Sequence, residues 1–88
     1  MDIGNRLKEI RKSKKLSSFR VAREAGTSRR YIQKMEKGLV KPSIPLLIAL
    51  EDLYHEPLFT LYRQEWPKDF EENKDHFLLW SMVKVRHY

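Results

Sequence analysis

The sequence predicts an all-α protein: a five-helix domain over residues 1–63, followed by a C-terminal extension over residues 64–88. Three observations carry that expectation. Apolar residues recur at helical spacing through the first 62 residues, with no β-type alternation. A serine stands just ahead of several of these runs, where a helix N-cap belongs. Glycine or proline marks the ends and the starts.

The elements follow in order. In "IGNRLKEIRKSKK" Ile3, Leu7 and Ile10 fall at i, i+4 and i+7, one apolar stripe of a first helix. Lys12, Lys14 and Lys15 suit its C-terminus, where positive charge offsets the helix dipole, and a role toward a polyanion is equally open to them. "LSSFRVAREAG" starts again with Ser17 as N-cap and Val21, Ala22 and Ala25 as the inner face. Gly26 stops it as a C′ residue, where positive φ is needed. Ser28 is placed to cap a third helix, with Ile32 and Met35 on its buried edge and Gly38 at its end. In "KPSIPLLIALEDLY" Ser43 caps, Pro45 sits in the tolerant first turn, and Leu46, Leu47, Leu50 and Leu53 supply the apolar face. "HEPLFTLY" opens a fifth, short helix after Pro57, with Leu58, Phe59 and Leu61 expected inward. Past the break at Pro67, Asp69, Glu71 and Glu72 favour an N-terminal turn, so a helix is expected over residues 68–83. "MVKVRHY" alternates enough for a short strand as the other option.

Composition narrows the function. Eighty-eight residues suit one domain. There is no cysteine, which removes disulfide and thiol chemistry and fits a reducing cytoplasm. His55, His76 and His87 lie far apart, so no metal-ligand spacing appears and no cofactor is implied. The longest apolar run, "IPLLIAL", is too short to span a bilayer, and "MDIGNRLKEIRK" has no apolar signal region. A cytoplasmic location is therefore expected. Residues 1–41 carry 13 Lys/Arg against 4 Asp/Glu, a balance of +9, whereas residues 42–88 balance at −3. A basic half points to a polyanion, nucleic acid before anionic membrane, unless it is uneven solvating charge.

The second and third helices, joined by a short glycine-led turn, have the spacing of a helix-turn-helix. Ala22 must be small where the helices cross, Gly26 must take the turn, and Ile32 must face back into the junction. Val21, Ala25 and Met35 complete the packing. At ~100° per residue, Ile32 and Met35 share one side of the third helix. Arg30, Gln33, Lys34 and Lys37 fall on the opposite side, with Arg29 at the edge. Arginine and lysine suit the edges of guanine, and glutamine suits adenine.

On "IGNRLKEIRKSKKLS", "VAREAGTSRRYIQKMEKG" and "KPSIPLLIALEDLY", the chain resembles the phage repressor/Cro-type, or XRE-type, helix-turn-helix DNA-binding proteins over roughly residues 3–62. The resemblance implies a lambda-repressor-like five-helix domain. It implies transcription regulation through sequence-specific binding of double-stranded DNA, usually by a dimer on a palindrome. A recognition helix of about residues 28–37 would enter the major groove. Carried over by position, Arg29, Arg30 and Lys34, with Gln33 adjacent, match base-contacting places. Ser17, Ser18, Ser28, Lys37 and Lys41 match phosphate-contacting ones. Arg11 and Glu36 match a common ion pair between helices 1 and 3. The chain departs from the pattern at Ser18, often a longer glutamine, and at Phe19, usually polar. Phe19 could shield helix 2, touch a sugar or stand partly exposed. Tyr31 could pack on the core edge or donate to a phosphate.

A second class of function is an antitoxin or adaptor whose tail binds a protein partner, with DNA binding kept for autoregulation. Trp66, Phe70, Phe77 and Trp80 would then be contact residues; otherwise they cover the core. An enzyme is not expected, since no paired carboxylates, nucleophile–base pair or phosphate loop is evident. Phe77, Leu78, Leu79, Trp80, Met82 and Val83 would make a large exposed apolar patch unless covered. Residues 66–88 are therefore expected to support a homodimer. The rival is cover within the chain, with dimerisation through helix 5 and Leu58 or Leu61.

Overall fold

The computed structural model describes residues 3–75. Its helices are α1 (Ile3–Ser13), α2 (Ser18–Ala25), α3 (Arg29–Glu36), α4 (Ile44–Tyr54), α5 (Phe59–Glu65) and α6 (Pro67–Glu72). No strand occurs among the described residues, and the fold is all-α. The chain divides into two compact units, Met1–Glu56 and Pro57–Tyr88.

The first unit holds α1–α4. Its core is the set that helical spacing selects: Ile3, Leu7 and Ile10 from α1, Val21 and Ala22 from α2, and Ile32 and Met35 from α3. Ile44, Leu46, Leu47, Leu50 and Tyr54 from α4 complete it. Within this unit α3 packs on both α1 and α2, and α4 packs on α2. Ala25 and Leu53, both expected inside, are only half-buried. On α4 the inward place goes to Tyr54, which is fully buried. That helix is apolar almost all round, so its sequence alone could not say which side the neighbours would cover.

Caps and turns fall where local chemistry puts them. Ser17, Ser28 and Ser43 each accept a hydrogen bond from the backbone N–H three residues on, at 3.1, 3.1 and 3.3 Å. Gly26 and Gly38 have φ of 72° and 78°, the left-handed region that glycine enters without steric cost. Two non-glycine residues also adopt it: Lys15 after α1 and His55 after α4, at φ 58° and 56°. Pro45 lies in the first turn of α4, where its missing N–H leaves no partner unsatisfied.

In the second unit α5 starts at Phe59 and runs to Glu65, two residues past the expected end of the domain. Leu58 is buried as expected, but the other inward place goes to Tyr62, while Phe59 and Leu61 are half-buried. Positions 58 and 62 are four apart and share one side, with 59 and 61 flanking it. Trp66 packs against Tyr62 with ring centroids 5.1 Å apart. The helix expected over 68–83 is described only as α6, Pro67–Glu72, and the next residues. The side chain of Phe70, the apolar cluster from Phe77 to Val83 and the alternating "MVKVRHY" lie outside the described residues.

Candidate nucleic-acid interface

The interface is built by the α2–turn–α3 unit. Gly26 closes α2, its N–H reaching the carbonyls of Ala22 and Arg23. The Thr27 N–H donates to the Ala22 carbonyl at 2.9 Å. These two N–H groups satisfy carbonyls that a helix end would leave bare. Two residues later Ser28 caps α3. Ala22 is 3% exposed, on the covered side of α2.

Ile32 and Met35, at most 1% exposed, fasten the inner side of α3 to the core. Arg29, Arg30, Gln33, Lys34 and Lys37 are all exposed. Four of them, 30, 33, 34 and 37, recur at i, i+3, i+4 and i+7 and so share one side of the helix. The chain therefore presents guanidinium, amide and ammonium donors from a helix whose other side is buried.

A largely buried ion pair ties α3 to α1. Arg11 on α1 donates from Nε and Nη2 to Glu36 Oε2 and Oε1 at 2.7 and 3.1 Å, and from Nη1 to the Leu16 carbonyl at 2.8 Å. The two side chains are 12% and 5% exposed. Hydrogen bonding to Glu36 holds the Arg11 guanidinium above its ordinary pKa, against the opposing effect of burial. Tyr54 lies close enough to feel both charges. Burial first, and then the Glu36 carboxylate, push its phenol above the ordinary value. Its hydroxyl has no hydrogen-bond partner among the described residues.

Gly4 contributes where no sequence signal singled it out. A Cβ there would collide with the Met35 carbonyl oxygen and crowd the backbone of Glu36. The α1 backbone thus lies directly against the C-terminal end of α3, beside the Arg11–Glu36 pair.

Two exposed hydrogen bonds tie α3 side chains to their surroundings. Arg29 Nε donates to Ser18 Oγ at 3.3 Å, and the Tyr31 hydroxyl donates to the Lys41 carbonyl at 3.2 Å. Ser17, Ser18 and Ser28 all use their hydroxyl oxygens as acceptors, which leaves each O–H free to donate. Phe19 is 60% exposed, with the Arg23 guanidinium 5.9 Å from its ring centroid, and Leu39 after α3 is 69% exposed. Sequence reasoning did not pick out Leu39, the Arg29–Ser18 bond or the burial of Tyr54.

No group of His, Asp or Glu among the described residues could hold a metal ion. No helix of the described residues is long and apolar enough to cross a membrane.

An α2–α3 pair of this geometry, seated on α1 and α4, defines a helix-turn-helix protein. The family pattern described as helix-turn-helix matches residues 7–61, and the chain belongs to that family, in its XRE-type branch. A protein of Pyrococcus furiosus, provisionally named an HTH-type transcriptional regulatory protein, is 40% identical over 55 residues. That alignment covers 62% of this chain but only 18% of the relative, so the chain spans under a fifth of that protein's length. No solved structure gives a significant match.

Proposed function

We propose that this chain is a transcription regulator that binds double-stranded DNA sequence-specifically, with α3 in the major groove, as a cytoplasmic homodimer. The observation that carries the reading is the division of α3. Ile32 and Met35 are buried, while Arg29, Arg30, Gln33 and Lys34 stand exposed as base-reading donors. Ser17, Ser18, Ser28, Lys37 and Lys41 are the phosphate contacts. The serines support this chemically: phosphate oxygens only accept, and each hydroxyl keeps its proton to give. The N-termini of α2 and α3 add unsatisfied N–H groups that favour an anion. Membership of the helix-turn-helix family and the provisional name of the Pyrococcus furiosus relative support the same reading.

Residues 1–63 are the DNA-binding part, and residues 64–88 support pairing of two chains. A two-fold dimer sets two recognition helices on half-sites about 34 Å apart. Selection from random duplexes, followed by footprinting, tests the reading. The expected product is a palindrome, bound with log affinity falling against log salt by about 0.9 per phosphate neutralised. Affinity that does not change between low and moderate salt overturns DNA as the ligand.

A further inference from the structure

We propose that Tyr31 is a positioning residue for phosphate binding, its hydroxyl bracing the α3–α4 connection so that Lys41 is held ready for the DNA backbone. The inference rests on the DNA-binding reading above and extends it to a residue with no assigned part in binding.

After Gly38 the chain leaves α3, runs without helix through residues 39–42, and enters α4 behind the cap of Ser43. Lys41 is the last cation before that helix. Two attachments fix its backbone. On one side Pro42 is fully buried. A proline ring fixes its own φ and restricts the preceding residue to extended backbone, so Lys41 is narrowed in conformation by its neighbour. On the other side the Tyr31 hydroxyl donates to the Lys41 carbonyl at 3.2 Å, across ten residues of sequence. Tyr31 stands in the first turn of α3, between the exposed Arg30 and the buried Ile32, and is itself half-buried. The bond therefore fastens the connection to the same helix that carries the base-reading side chains.

The hydroxyl has one proton, and that proton is committed to the carbonyl. Tyr31 is thus a brace and not itself a phosphate donor. A cation whose backbone is already set loses less conformational freedom on binding, and that saving appears as affinity. Because phosphate contacts carry no base information, the gain is equal on every sequence.

The test is Tyr31→Phe, which keeps the ring and removes the bond, with folding checked by circular dichroism and thermal melting. Affinity is measured on the selected duplex and on a random duplex, alone and combined with Lys41→Ala. The expected result is binding weaker by roughly 2- to 10-fold on both duplexes, with their ratio unchanged. In the Lys41→Ala background Tyr31→Phe should have no further effect, because the brace acts through that lysine. Unchanged binding overturns the proposal, including the case where only the melting temperature falls. So does a loss that adds in full to that of Lys41→Ala, or a change in base preference. A wild-type protein that binds neither duplex rejects the DNA reading itself, and the brace with it. Wild-type binding with an unaffected Tyr31→Phe rejects the brace alone.

Discussion

Removing either member of the Arg11–Glu36 pair should cost far more than a surface ion pair is worth. The pair is bidentate, with N···O distances of 2.7 and 3.1 Å, and a third bond runs from Arg11 to the Leu16 carbonyl. Glu36 as a whole is only 7% exposed. An exposed pair contributes ~0–1 kcal/mol, because water and salt screen it. Breaking a buried one costs ~3–5 kcal/mol, chiefly because the survivor is a buried charge with no partner. The slight exposure of Arg11 places this pair near the lower end, so Arg11→Met and Glu36→Met should each cost about 3 kcal/mol. In a domain this small that is a fall of roughly 12–24 °C in melting temperature. The double variant leaves no orphaned charge and should cost no more than about 4 kcal/mol, a coupling of at least ~2 kcal/mol. Urea unfolding of the four proteins measures it. Additive single effects, or a single variant losing under ~0.5 kcal/mol, would refute the view that this pair is shielded and locks α1 to α3.

Other variants probe the remaining contacts. Gly4→Ala should destabilise by about 1–3 kcal/mol and weaken DNA binding, since the new methyl meets the Met35 carbonyl. Alanine is otherwise the better helix former, so a more stable Gly4→Ala protein would show that the helices do not approach this closely. Burial holds the Tyr54 phenol above its ordinary pKa of 10.0. As pH climbs past that value the unfolded chain loses the proton first, so the stability present below it is progressively lost. The slope approaches ~1.4 kcal/mol per pH unit. Tyr54→Phe should flatten this alkaline decline, and equal slopes in the two proteins would count against the burial. Arg30→Ala should cost roughly 1–3 kcal/mol on the selected site and relax one base position, whereas Lys37→Ala should weaken all duplexes alike. Binding titrations on matched and single-base-changed duplexes separate them, and loss of specificity in both would contradict the assignment of the α3 side.

What the sequence determined by itself is the set of features that depend on a few adjacent residues. Ser17, Ser28 and Ser43 cap because a serine oxygen reaches an N–H three residues on whatever else surrounds it. Gly26 and Gly38 end helices because the lack of a Cβ allows positive φ. The spacing of Ile3, Leu7 and Ile10, and of Ile32 and Met35, marks an inner side before any partner is known. The cationic side of α3 follows from the same period. Tertiary structure decided whatever depends on which neighbour arrives. Tyr54 rather than Leu53 is buried on α4, and Tyr62 rather than Phe59 and Leu61 on α5, because helical period groups residues without saying which group is covered. Gly4 matters only because the α3 backbone comes against it. The bonds from Arg29 to Ser18 and from Tyr31 to Lys41 join residues ten or more apart in sequence, and only packing of α2, α3 and the connection after α3 brings those atoms within reach.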